Sequence, residues 1–283
     1  MFFAQLKNEL WKLFGKKRTY IGFGAFVIAQ SAMVLVFKYT HWQQNFERLL
    51  SGNGYLASGY ISALTVSLIM IWPQLILLMP LYVTLVGGDL VAKEAEDGTL
   101  RMILSRPVSR VRLLLVKWLA GSIFTAVLVV ALGAIALGFA RLYFPWGGMF
   151  VFLQVGTDPT MTFSLFTPHQ GLVLFAFSHV FIIVNTITLM SIAFMFSCFN
   201  MKPAAATILA LSFMFVSMVM EHIPFFEDYQ NWFITHHLES SFLVFQQPMP
   251  LPQIYQSETI LLAISATAFI IGAMGFQVRD IKS

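Results

Sequence analysis

Long apolar runs separated by short polar segments set the pattern of this chain. Six stretches contain no Asp, Glu, Lys or Arg: Thr19–Phe37, Ser58–Val86, Trp118–Ala140, Gly171–Cys198, Pro203–Met220 and Thr259–Phe276. Each reaches or nearly reaches the ~20 residues that a helix needs to cross the hydrocarbon core of a bilayer. The runs are long and continuous, whereas barrel strands are short and alternate, so they predict helices. The residues ahead of the first run have another rhythm. Phe3, Leu6, Leu10, Leu13 and Phe14 recur at helical spacing, and Gln5, Glu9, Lys12 and Lys16 fall on the opposite face. This predicts an amphipathic helix over 1–18 in the membrane interface, with Trp11 near headgroup level. Packing of this segment on a partner is the alternative.

Composition agrees with the pattern. Of 283 residues, 58% are hydrophobic and 11% charged, against about 25% charged in soluble domains. A soluble surface cannot be built from so few charges, and disorder needs the opposite balance. A single cysteine, Cys198, excludes an intrachain disulfide. Basic Lys16-Lys17-Arg18 ahead of an apolar run imitates a secretory signal. The run is long, further spans follow and no small-residue cleavage site appears, so an uncleaved first span is expected.

The net charge of +4 is explained by position and needs no nucleic acid. With the N-terminus inside, fourteen Lys and Arg lie on the inner side: Lys7, Lys12, Lys16, Lys17, Arg18, Lys93, Arg101, Arg106, Arg110, Arg112, Lys117, Lys202, Arg279 and Lys282. Only Lys38, Arg48 and Arg141 lie outside. Such a bias predicts both termini in the cytoplasm. The expected fold is an all-α integral membrane protein, one transmembrane domain over 1–283 with six helices. It carries an interfacial helix at 1–18, a cytoplasmic region at 87–117 and an outer segment at 221–258.

The cytoplasmic region is too short to fold alone. It reads as the second span running on as a helix through Asp89, Lys93, Glu94 and Asp97, where i,i+4 spacing allows Asp89–Lys93 and Lys93–Asp97 ion pairs. Asp97-Gly98 breaks that helix. A short helix capped by Asp97 or Thr99 follows, with Leu100, Ile103 and Leu104 on one face. Pro107 ends it, and Ser109 caps the helix into the third span. An apolar stripe on so small an element calls for a partner to cover it.

At these residues the chain resembles a known family. Glu94-x-x-x-Gly98-Thr99-Leu100, then Leu104-Ser105-x-Pro107-Val-Ser109-Arg110 and Lys117 before a span, is similar to the signature of type-2 ATP-binding-cassette (ABC) transporter permeases. The order of elements agrees, and the ending Phe276-Gln-Val-Arg279-Asp280-Ile281 resembles endings of such subunits. The resemblance implies the type-2 ABC exporter permease fold, with the 1–18 segment as an elbow helix. It also implies that the short helix after the second span is a coupling helix docked in a groove of a cytoplasmic ATPase. By position, Glu94, Asp97, Gly98, Thr99, Leu100 and Leu104 would form the dock. Pro107, Ser109 and Arg110 would orient the return to the membrane, and Lys117 would snorkel at headgroup level. No Gly-x-x-x-x-Gly-Lys-Ser/Thr loop is present. The resemblance therefore implies that ATP and Mg are bound by a partner subunit in two copies. It implies a second permease copy too, identical or related.

Other polar positions have two readings. Ser178, His179, Asn185 and Thr188 form a stripe on the fourth span that would line a translocation path or serve as interhelical hydrogen bonds. Pro73 and Pro80 kink the second span as a hinge or as a static bend. Ala268-x-x-x-Gly272 is a packing face. The stretch 221–258 mixes Phe225, Phe226, Tyr229, Trp232, Phe233 and Phe245 with five acids and no Lys or Arg. Such a stretch is interfacial or re-entrant. Its His222, Glu227, Asp228, His236 and His237 match no metal-ligand spacing, so no metal is expected.

Together these features predict a non-catalytic permease subunit in the inner or plasma membrane, coupling ATP hydrolysis elsewhere to export of a solute. Few intramembrane charges favour a hydrophobic or amphipathic cargo. The alternatives are a membrane-embedded enzyme acting on lipid-like substrates, or a non-transporting anchor of an envelope machine. A periplasmic or envelope partner and membrane lipid complete the expected contacts.

Overall fold

The computed structural model describes residues 2–52, 57–104, 109–154 and 161–278. Six helical segments are long and apolar enough to cross a membrane, in the order read from the sequence. Helix α1 (Phe2–Gly15) leads into α2 (Lys17–Tyr39), followed by α3 (His41–Gly52) and the single turn α4 (Ala57–Tyr60). The second span is broken into α5 (Ala63–Pro73), a π-helical turn (Gln74–Leu78) and α6 (Met79–Glu96). The short α7 (Thr99–Leu104) precedes the third span, α8 (Arg110–Tyr143). Strands β1 (Met149–Gln154) and β2 (Met161–Phe166) form an antiparallel hairpin with Phe150 opposite Leu165. Then come α9 (Pro168–Cys198), α10 (Pro203–Glu221) and a 3-10 stretch (Pro224–Trp232). Two short helices, α11 (Ile234–Leu238) and α12 (Ser240–Leu243), lead to the last span, α13 (Leu251–Val278).

The end of the bundle that carries α1, α7 and the end of α13 is termed the base, and the opposite end the crown. Helix α9 is the central post, touching α5, α6, α8, α10 and α13. Small residues let these helices close up: Ala268 and Gly272 of α13 pack on α9, where Gly272 faces Met195 and Cys198. The apolar interior divides along the bundle. Toward the base, Phe124 receives the rings of Phe14, Phe23 and Tyr82. Toward the crown, Phe37 meets Phe46 and Phe144, and Phe46 meets Phe150 of the hairpin.

Several boundaries differ from the pattern-based expectation. The second span begins at Ala63 and not at Ser58, because the Ser62 hydroxyl accepts from Thr65 N–H and donates to Gly148 O, fixing a cap. Helix α8 begins eight residues before Trp118, where the Ser109 cap and Arg110 hold its first turn, and α13 begins eight before Thr259. The hairpin and α3 have no counterpart in the apolar-run reading. The 221–258 segment folds back on the bundle: Trp72 stacks on Phe242 at 4.2 Å, and Asn185 donates to Leu238 O at 2.7 Å.

Candidate functional site

The densest charge chemistry lies at the base. Stripe spacing on α1 brings Leu6, Glu9, Leu10 and Leu13 to one side, so Glu9 is carried inward with the leucines. There its Oε2 accepts from Lys117 Nζ at 2.9 Å and its Oε1 from Lys12 Nζ at 2.7 Å. Lys117 is 1% exposed and also pairs with Glu94 Oε1 at 2.8 Å, which Lys12 reaches at 3.2 Å. Two acids and two lysines thus join α1, the end of α6 and α8. This corrects two expectations. Lys117 does not snorkel, because two carboxylates converge on it inside the protein. Glu9 is not on a solvated face, because the same convergence draws it in.

Burial alone would raise the Glu9 carboxyl, but Lys117 and Lys12 outweigh it and hold the group below its ordinary range. Burial pulls Lys12 down, and Glu9 and Glu94 more than restore it, so it rises. A depressed acid contributes stability that is lost only as pH falls through its folded value; a raised lysine contributes stability that is lost only at high pH. Glu9 and Lys12 therefore both stay charged through the neutral range.

Around it the connecting region folds as helix, turn, helix. Lys93 pairs with Asp97 at 3.1 Å, as spacing suggested, and with Glu96 at 2.8 Å. Asp89 pairs with Arg18 of α2 at 3.1 Å, a partner that local spacing could not show. Gly98 has φ +72°, the left-handed conformation that ends α6 and that glycine adopts without steric cost. Thr99 opens α7 and donates to Glu94 O. Ser109 caps α8 by accepting from Arg112 N–H at 3.3 Å.

Two docking expectations change. Leu100 is 2% exposed and belongs to the bundle's own core, so the subunit itself covers it. The Glu94 carboxylate is turned inward to the lysines. The exposed tip is instead Glu96, Asp97 and Gly98, of which Glu96 was not singled out from the sequence. For Leu104 the described helix gives only the backbone position, and Pro107 lies outside the described residues. Arg110 Nη1 donates to Phe276 O and Gln277 O at 3.3 and 3.0 Å. A cation thus closes the last carbonyls of α13.

The four stripe residues of the fourth span, Ser178, His179, Asn185 and Thr188, lie buried inside the subunit. Ser178 and His179 both donate to Phe175 O, and Thr188 donates to Leu261 O and accepts from Ser265. With Asn185 on Leu238 O, this is interhelical and intrahelical hydrogen bonding. Pro73 and Pro80 flank the π turn.

At the crown, His236 Nδ1 lies 3.2 Å from Glu221 Oε1 and joins α11 to α10. The Glu221 hydrogen bond raises His236 despite its burial. His237 is lowered by burial; its Nε2 donates to Asn231 O, so Nδ1 accepts from Ser257. Burial and then Glu221 push Glu239 up. Among the described residues no group of three or more His, Cys, Asp or Glu side chains is placed to hold a metal ion. A raised histidine contributes stability that is complete below its ordinary value of 6.5 and lost as pH rises through the folded value. The thermal midpoint of the wild type should therefore fall over that alkaline-going window. His236→Gln should lessen that fall, checked by midpoints from pH 6 to 9.

A search among curated proteins finds no match to this chain. Residues 8–249 match the family model described as ABC-2 family transporter protein. That match runs from α1 through all but the last span, and with six apolar helices in the expected order it places the chain in the ABC-2 transporter family, as a multi-pass membrane permease.

Proposed function

We propose that this permease exports a hydrophobic or amphipathic solute, driven by a separate ATPase that docks on the tip of the base at Glu96, Asp97 and Gly98. The base faces the cytoplasm and both termini lie there, in line with the distribution of Lys and Arg. Two permease copies and two ATPase copies form the working unit. ATP closes the ATPase pair, and the closure pushes on α7. Glu94, Thr99 and Gly98 fix the geometry of the tip, and Ser109 and Arg110 anchor the return helix on α13.

The observation that carries this reading is the Glu9–Lys12–Glu94–Lys117 cluster. It fastens the root of the tip to the elbow and to the third span, so a push on α7 moves α6, α8 and α1 together. A short element on a loose root would absorb the same push. The 221–258 segment, folded against the outer halves of three spans, closes the path on the external side.

The test is charge reversal at the tip. A Glu96→Lys, Asp97→Lys double variant should insert and fold as the wild type does, since both groups are exposed, but should lose co-purification with the ATPase and stimulated ATP turnover. Unchanged co-purification and unchanged turnover would sink the proposal.

A further inference from the structure

The bundle covers one side of α1 and leaves another open. Leu6, Leu10, Leu13 and Phe14 pack on the core, while Glu9 and Lys12 turn to Lys117 and Glu94. Phe3, Lys7 and Trp11, each four residues on from the last, follow a separate line along the helix. All three are exposed, Phe3 at 82% and Trp11 at 70%. The apolar stripe read from the sequence therefore divides. Its leucines are core, whereas Phe3 faces outward.

Helix α2 repeats the arrangement. Lys17, Tyr20 and Ile21 share one face, three and four residues apart, and all are exposed. Because α2 climbs from base to crown, Tyr20 and Ile21 lie about 5 Å nearer the crown than Lys17. The corner between the two helices is fixed. Buried Thr19 donates its hydroxyl to Leu13 O, and its carbonyl accepts from the Tyr82 hydroxyl at 3.2 Å.

The charge on these faces has one sign. From Met1 to Thr40 the only acid is Glu9, and it is turned inward. Lys12 and Arg18 are held by Glu94 and Asp89. Among the described residues no acid pairs with Lys7 or Lys17. Exposed rings beside ammonium groups, with no carboxylate among them, match the headgroup layer of a bilayer. There aromatic rings sit at the polar boundary and lipid phosphates supply the counter-charge.

We propose that Lys7 and Lys17, flanked by Phe3, Trp11 and Tyr20, form a binding surface for anionic phospholipid headgroups in the leaflet at the base. The rings set the depth of α1, and the lysines select anionic over zwitterionic lipid. A lipid bound here holds the helix that carries Glu9 into the base cluster. The inference rests on the membrane character of the chain and not on the ATPase reading.

Fluorescence quenching of Trp11 tests it. The purified chain is placed in phosphatidylcholine vesicles containing rising fractions of either phosphatidylglycerol or phosphatidylcholine brominated near the headgroup end of its chains. Bromine quenches tryptophan on contact, and the signal of Trp11 is that of the wild type less that of Trp11→Phe. Brominated phosphatidylglycerol should halve this signal at a mole fraction about fivefold lower than brominated phosphatidylcholine, the attraction expected of a basic residue at the surface. A Lys7→Gln, Lys17→Gln double variant should remove the difference, and high salt should shrink it by screening. Equal quenching by the two lipids in the wild type would overturn the proposal. So would a preference that survives in the double variant. Absence of Trp11 quenching by either lipid would overturn it as well, and would assign this face to a protein partner.

Discussion

Lys117→Met is expected to lower the thermal midpoint by on the order of 10 °C. Lys117 is almost wholly buried, and its ammonium is shared by Glu9 at 2.9 Å and Glu94 at 2.8 Å. Removing one member of a buried ion cluster costs about 3–5 kcal/mol, because the remaining charges keep their desolvation and lose their partner. Lys12 still reaches both acids, which places the cost toward the lower end. The cause is separable from lost packing, since methionine has a similar length and an apolar stem. A triple variant, Glu9→Gln, Glu94→Gln, Lys117→Met, removes the stranded charges as well and should regain much of the loss. Midpoints of the single and triple variants in detergent decide the matter. A triple variant no more stable than the single one would show that the charges are not the reason.

Gly87→Ala is the second large effect. A Cβ added at Gly87 would lie 2.4 Å from Met190 O and 3.2 Å from Phe194 N, both backbone atoms of the central post α9. Backbone cannot rotate away, so the second and fourth spans must separate along their main contact. Overpacking of this kind costs about 1–3 kcal/mol and sometimes more. Gly88→Ala should cost less, because its closest neighbour is the hydroxyl of Thr207, at 2.5 Å, which can turn. Gly138→Ala is the internal control: nothing lies within 4 Å of its added Cβ, and alanine favours a helix by up to about 1 kcal/mol. Thermal midpoints should rank Gly138→Ala highest, then Gly88→Ala, then Gly87→Ala. A Gly87→Ala protein as stable as the control would refute the close approach of α6 to α9.

Parts of this site were open to reading from local order alone. The turn at Asp97-Gly98, the cap at Ser109 and the Lys93–Asp97 pair depend on neighbours within four residues, and all three are found. Glu9 and Lys117 were each visible as charged residues, but they are 108 positions apart and nothing local joins them. Leu100 was misplaced for a related reason. An apolar stripe declares that it must be covered, and does not say whether a partner or the chain's own core covers it. The π turn was hidden because Pro73 and Pro80 announce a break without fixing how the freed carbonyls are recaptured.

What the sequence alone determined is the membrane character, the six spans and their order, and the first helix and short helix at the base. These follow from helix length against bilayer thickness and from chemistry within a turn or two. Only the tertiary structure decided which polar groups face inward and which of them meet. A charge can enter an apolar interior only where its counter-charge arrives from another helix. That arrival is a property of packing: α1, α6 and α8 must converge before Lys117 can be buried.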